Sequence, residues 1–273
     1  MKKLLTVVLM GLILTSCSKE DVNQENPADF KLTIINNTDF SSQGTYKGVF
    51  AAFGSAKRGN VEITITDSAA NASIQFEDGS ELRLEGTSSF AASSVQSFRF
   101  VSELGSFDFT VNADGSNPEV SAVNIADAAG SIIIAKDIEA TPIRTSTGTF
   151  GCDECGDHPI LSDPNMQATF VWNIVFVGEG VEASTVLTQV TFGDRLIVSS
   201  GDLENPYNKV GSFVYNDMLG GFPFGEAGTL EWEATQMYNM EGTCVEITGT
   251  WNLSSPAYEI SGWVDGDDSC NPL

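Results

Sequence analysis

Short runs in which apolar and polar residues alternate with period two, broken every several residues by turn-formers, constrain this chain most. Val61, Ile63 and Ile65 stand against Glu62, Thr64 and Thr66, and Phe107, Phe109 and Val111 against Asp108 and Thr110. A period of two places one set on a buried face and the other in water, the pattern of half-buried strands. Ile74 and Phe76 lead into Asp78-Gly79, after which Leu82 and Leu84 resume the apolar face. An Asp-Gly pair in that setting predicts a hairpin with a type I′ turn, whose two central residues need positive φ. Further strands are predicted at Val95–Val101, Val120–Ile125 and Ile132–Ile138. Turn-formers at Gly54–Asn60, Asp67–Asn71, Ala113–Pro118 and Asp127–Gly130 leave room for short helices only. Parallel strands need long crossovers, so the fold class is all-β, built of antiparallel β-sandwich or barrel units.

The second half continues in that style, with runs at Val186–Phe192, Leu196–Ser199, Gly211–Tyr215, Thr229–Tyr238, Cys244–Leu253 and Tyr258–Val264. Phe170, Trp172, Ile174 and Phe176 share one face of a run whose other face carries Val171, Val175 and Val177, so this strand is expected to be buried on both sides and central. The phrases Gly44-Thr45-Tyr46, Gly148-Thr149-Phe150, Gly228-Thr229-Leu230 and Gly249-Thr250-Trp251 recur at irregular spacing, which excludes a solenoid.

Charge divides the chain in two. Residues 31–145 hold 14 acids and 8 bases, whereas residues 146–273 hold 19 acids against Arg195 and Lys209 alone. Pro142–Gly148 reads as a connector at that change, giving two domains, 31–145 and 146–273. The second cannot neutralise its carboxylates internally and must rely on water, backbone donors or outside cations. A net charge of −24 and the lack of any Lys/Arg cluster beyond the leader exclude nucleic acid as a partner. The same charge repels anionic lipid surfaces.

The chain opens with Lys2 and Lys3, an apolar run from Leu4 to Leu14, and Leu14-Thr15-Ser16-Cys17-Ser18-Lys19-Glu20-Asp21. The apolar run is too short to span a bilayer, which takes about 20 residues. This segment resembles bacterial lipoprotein signal peptides, in which Leu-Thr-Ser-Cys is the lipobox. The resemblance implies a signal peptide at 1–16, cleavage before Cys17, and lipidation of that cysteine. Ser18-Lys19-Glu20-Asp21 is similar to the tag that sends lipoproteins of Bacteroidota to the outer face of the outer membrane. On that resemblance the protein is outer-membrane, lipid-anchored and extracellular-facing, touching the membrane through the lipid only. Residues 17–30 form the lipidated N-terminus and a polar linker.

Four cysteines remain beyond Cys17, an even number in an exported chain, which implies disulfides. If Leu253 faces Tyr258 across a hairpin, Cys244 comes near residue 267 and within reach of Cys270. The pairing Cys244–Cys270 with Cys152–Cys155 follows, although four cysteines allow three connectivities. Cys152-Asp-Glu-Cys155-Gly-Asp-His158 also reads as the start of a zinc site, against which stands the oxidising location. Followed by Pro159, His158 reads as a loop residue.

Gly-x-Ser-x-Gly is absent, and a single histidine excludes His-Glu-x-x-His. Gly178-Glu-Gly-Val-Glu-Ala183 matches a degenerate dinucleotide fingerprint but precedes no helix and reads as a turn. Glu231 and Glu233, at i and i+2, share one strand face, as paired glycosidase carboxylates do. They equally form a solvent face opposite Trp232. Asp265, Asp267 and Asp268 offer hard oxygens for Ca²⁺, without the EF-hand spacing. Trp263 is out of phase with Tyr258, Ile260 and Val264, so it either stacks on a sugar or packs on another sheet. Tyr207, Phe222 and Phe224 lie in Gly/Pro-rich loops as further binding candidates. The expectation is a surface protein for binding or display, with glycans as ligand by analogy of address. The alternatives are a glycoside hydrolase or lyase using Glu231 and Glu233, and a structural or adhesion protein without a small ligand.

Overall fold

The structure is a computed structural model describing residues 41–89, 95–139, 142–178, 185–203, 208–215, 218–219, 222–223, 228–238, 244–254 and 258–267. Cys17, Tyr207, Phe224, Asp268, Cys270 and most of Gly178–Ala183 lie outside the described residues.

Eight strands come first: β1 (Gly44–Ala52), β2 (Arg58–Ile65), β3 (Ala70–Phe76), β4 (Glu81–Ser89), β5 (Val95–Ser102), β6 (Gly105–Asn112), β7 (Glu119–Ile125) and β8 (Ala128–Asp137). Each pairs antiparallel with the next, and β8 returns to β1 to close a barrel. The alternation seen in the sequence sorts residues between barrel interior and water. Phe100 stacks on Phe107 at 5.0 Å and Tyr46 meets the edge of Phe109 at 5.0 Å, all four fully buried. Each such ring contributes about 2–3 kcal/mol through burial. The outer face carries charged side chains such as Arg83 and Glu85, the reverse of the apolar-out pattern of bilayer-spanning barrels.

The Asp78-Gly79 hairpin forms, but not as a type I′ turn. Gly79 N donates to Phe76 O at 3.0 Å and only Gly79, at φ +81°, is left-handed. This is a type I turn closed by a glycine bulge, the commonest three-residue connection. Asp78 Oδ1 accepts the Ser80 amide at 2.8 Å, and Asp114 Oδ1 accepts the Ser116 amide at 3.0 Å in a second turn of the same design. The true two-residue turn is Ala126-Asp127, both at positive φ, between the paired residues Ile125 and Ala128. Strand β8 therefore begins inside the predicted turn Asp127–Gly130.

The remaining elements are β9 (Ile143–Ser146), β10 (Gly148–Cys152), α1 (Pro164–Gln167), β11 (Val171–Val177), β12 (Thr185–Phe192), β13 (Arg195–Leu203), β14 (Asn208–Tyr215), β15 (Met218–Leu219), β16 (Phe222–Pro223), β17 (Gly228–Tyr238), β18 (Cys244–Ser254) and β19 (Glu259–Gly266). Pro142–Gly148 is thus no connector, since β9 occupies most of it and the barrel ends at Asp137. Apart from the small β15–β16 hairpin, the strands form one antiparallel sheet in the order β10-β19-β18-β17-β14-β13-β12-β11-β9. Its two edge strands, β9 and β10, are consecutive pieces of one segment interrupted at Thr147. Phe150 on one edge stacks on Phe170, the residue leading into β11 beside the other edge, at 4.3 Å. The sheet is therefore rolled until its ends are two halves of one bent strand. Counting those halves once, nine strands become eight in up-and-down order, a second barrel. Gly44, Gly148 and Gly228 open β1, β10 and β17, whereas Gly249 lies inside β18.

The barrels pack side by side. Val49, Ile133 and Ala135 on the outside of β1 and β8 share a buried cluster with Ile143, Val175, Val177 and Leu187. Asn173 Nδ2 donates to Phe50 O at 3.0 Å and Gln189 Nε2 to Ser131 O at 3.0 Å, so these two side-chain amides are satisfied across the contact. Strand β11 is buried on both sides as expected, but it is not central. It lies next to β9, with its own barrel's core on one face and the first barrel on the other.

Candidate functional site

Strands β10, β19, β18 and β17 place one row of side chains outward. Register sets Gly151 opposite Trp263, and Trp263 opposite Thr250. Thr149 faces Asp265, and Asn252 stands between Ser261 and Glu231. Val264, Trp251, Leu253 and Trp232, the alternate residues, are buried in the second barrel. Trp263 is 40% exposed on the outward face of the sheet. A Cβ on Gly151 would collide with the Trp263 indole, which lies across the space that glycine leaves free. The ring thus lies over Gly151 while the residue stays 40% exposed.

Hydroxyl, amide and carboxylate groups surround that ring. Ser261, Thr250, Asn252, Asp265, Glu259 and Glu231 are exposed, and Thr149 is half-buried. A sugar offers apolar C–H faces and polar edges, which match a flat aromatic ring set among short polar side chains. Glu231 and Glu233 share this face by register, two strands from Trp263, with Trp232 buried behind them. The side chain of Glu233 is outside those described, as are the side chains of Phe222 and Cys244. Glu231 stands in water on the outside of the barrel.

Asp267 has another employment. Its carboxylate takes the Arg58 guanidinium, with Nε at 2.7 Å from Oδ2 and an Nη2 contact to Oδ1, and accepts the Thr147 hydroxyl at 2.6 Å. Both oxygens are used, so the acidic turn is an ion-pair clasp to the first barrel at this residue. Asp265 points to water beside Trp263. Among the described residues no group of three or more His, Cys, Asp or Glu side chains converges as metal ligands.

Cys152 and Cys155 are disulfide-bonded, with Cα atoms 5.5 Å apart. Neither sulfur is then the thiolate that zinc requires. The Leu253 backbone faces Ile260, two residues beyond the expected partner Tyr258, so the register of this hairpin differs from the one expected. The disulfide opens a segment that closes one end of the second barrel, where Ile160 and Leu161 enter the core. His158 is buried in it, its Nδ1 accepting the amides of Ile160 at 3.3 Å and Leu161 at 3.1 Å, its ring against Tyr258 at 4.7 Å. Burial lowers its pKa from 6.5 to about 4. An imidazole whose Nδ1 is occupied by two backbone donors is an organiser of the loop, not a general base.

No protein-family model matches the sequence, nor does any curated protein. Among solved structures, the chain is similar to a protein of unknown function from the DUF3598 family of Nostoc punctiforme at 9% identity, covering 83% of this chain and 96% of that one, with a TM-score of 0.21. It is also similar to kievitone hydratase from Nectria haematococca at 8% identity, covering 90% and 95%, with a TM-score of 0.25. Similarity this loose carries no functional argument.

Proposed function

We propose that this chain is a lipid-anchored protein of the outer-membrane surface that captures uncharged glycans on the outward face of β10, β19 and β18. The observation that carries the binding half is Trp263, 40% exposed and lying over Gly151 among exposed Thr250, Ser261 and Asp265. A pyranose ring stacks its C–H face on the open side of the indole, and its hydroxyls donate to Asp265 and exchange hydrogen bonds with Thr250 and Ser261. Carboxylates at Glu231, Glu259 and Asp265 disfavour acidic sugars. The address half rests on the leader and on Cys17 with its Ser-Lys-Glu-Asp tag.

A glycan array probed with wild type and Trp263→Ala tests the first half. Wild type should hold a restricted set of neutral glycans, and the variant should lose about tenfold in affinity, the effect of removing one stacking ring worth ~1.5 kcal/mol. Absence of binding across the array overturns the glycan reading. Mass spectrometry of native material should find acyl groups on Cys17, and protease added to intact cells should digest the protein. An unmodified Cys17 or full protection refutes the address.

A further inference from the structure

Two buried donors inside the second barrel find no acceptor among the described residues. Trp172 on β11 and Trp232 on β17 both point into the core, 2% and 3% exposed, with ring centroids 6.0 Å apart and planes inclined at 69°. Among the described residues neither indole Nε1–H has a hydrogen-bond partner. Trp251, a member of the same cluster, shows the usual outcome, its Nε1–H donating to Gly151 O at 2.9 Å. Buried indoles normally find such an acceptor, so two unmet donors side by side call for something that supplies oxygen.

Their surroundings define what that could be. An eight-stranded barrel is just wide enough to be filled by side chains or to hold one small molecule. Phe150 stands edge-on to Trp172 at 5.8 Å and to Trp251 at 6.2 Å, so the wall near the donors is aromatic. Ile160 and Leu161, beyond the disulfide, enter the same cluster and exclude water from that end. The excess of carboxylates in this half of the chain repels anions. A cation would meet donors of its own sign. We propose that the interior of the second barrel beside Trp172 and Trp232 is a binding site for a small uncharged cyclic molecule whose oxygen atoms accept hydrogen bonds from the two indoles. The site is separate from the outward face that carries Trp263, so the two readings stand or fall independently.

The test uses the chain from residue 17 onward, labelled with ¹⁵N at tryptophan, with cyclohexanone and coumarin as acceptor-bearing probes and naphthalene as an apolar control. At least one acceptor probe should shift the indole N–H resonances of Trp172 and Trp232 saturably, leaving that of Trp263 in place. Naphthalene should bind at least fivefold more weakly than coumarin. Trp172→Phe and Trp232→Phe should each weaken the productive probe about fivefold, the equivalent of one hydrogen bond of ~1 kcal/mol, and Trp263→Ala should leave it unchanged. The proposal is overturned if neither acceptor probe moves the two indole signals up to its solubility limit, if naphthalene binds as tightly as coumarin, or if a crystal soaked with both probes shows only ordered water on the two donors. The wild-type titration decides the matter even if a Phe variant fails to fold.

Discussion

His158 is the chain's single histidine, which makes its protonation visible in isolation. Folding buries the ring and moves its pKa from 6.5 to about 4, with desolvation of the charged form as the cause. Two backbone donors at Nδ1 act in the same direction, because that nitrogen cannot accept a proton while it accepts the amides of Ile160 and Leu161. The sign follows from proton binding: between these two values the unfolded chain holds a proton that the folded one does not, so stability falls as pH drops. It is at its maximum above 6.5 and stops falling below about 4. At 1.36 kcal/mol per unit the full effect is about 3 kcal/mol, of which about 2 kcal/mol is expressed between pH 7 and pH 5. Asp78 and Asp114 do not interfere, since hydrogen bonds from Ser80 and Ser116 hold their carboxyls below the usual range and delay their titration to more acid pH. The assay is denaturant unfolding at pH 7 and pH 5 of wild type and His158→Asn, whose Oδ1 can still accept the two amides. Wild type should lose about 2 kcal/mol more than the variant on acidification. Proton NMR should keep the native imidazole neutral at pH 5. A native titration midpoint near 6.5, with equal pH slopes for the two proteins, refutes the reasoning.

Three other outcomes follow from the fold. Arg58→Ala strands Asp267 at the junction of the barrels and should destabilise by about 2 kcal/mol, and a cycle with Asp267→Asn measured by urea unfolding should give a coupling above 1 kcal/mol. Replacing Ala126-Asp127 by Asn-Gly relieves two side chains of left-handed φ and should raise stability by about 1 kcal/mol, read as an increased Tm. Reducing the Cys152–Cys155 bond frees a four-residue loop, so Cys152→Ser with Cys155→Ser should cost about 2 kcal/mol on the chain-entropy estimate, measured by unfolding with and without reductant.

Strands such as β2 and β6 were legible in the sequence because one face meets the core and the other meets water. The alternation fails where both faces are covered. In β1, Tyr46 and Phe50 fill the first barrel while Val49 and Ala51 face outward and are buried as well, so the run reads as uniformly apolar. The same cause hides β9, whose Ile143 joins the contact between barrels and whose sequence reads as a connector. Turn type escaped for a different reason: Asp-Gly satisfies both a type I′ turn and a glycine bulge, and loop length decides between them. Of the candidate site, Trp263 was visible as an apolar residue out of phase with its strand. Its setting was not, since Gly151 and Thr250 become its neighbours only through register. The unmet donors of Trp172 and Trp232 could not be read at all, because the lack of a partner is a property of three-dimensional surroundings and not of residue type.

The charge imbalance between the halves has a structural answer in Arg58. Residues 146–273 hold 19 acids and two bases, and one of those bases, Arg195, is engaged by its neighbour Asp194 at 3.1 Å. Asp267, at the end of β19, therefore draws its counter-charge from β2 of the first barrel. The two side chains are 11% and 27% exposed, so salt screens this pair far less than it screens repulsion among surface carboxylates. The clasp ties the point where the bent strand β9–β10 turns, through Thr147, to the rim of the other barrel. With Val49, Ile133, Val175 and Leu187 packed alongside, the contact joins an apolar patch to a charge that only the partner barrel supplies. A second barrel expressed without the first would expose that patch and leave Asp267 without Arg58, which is a physical reason for the two barrels to occur as one unit.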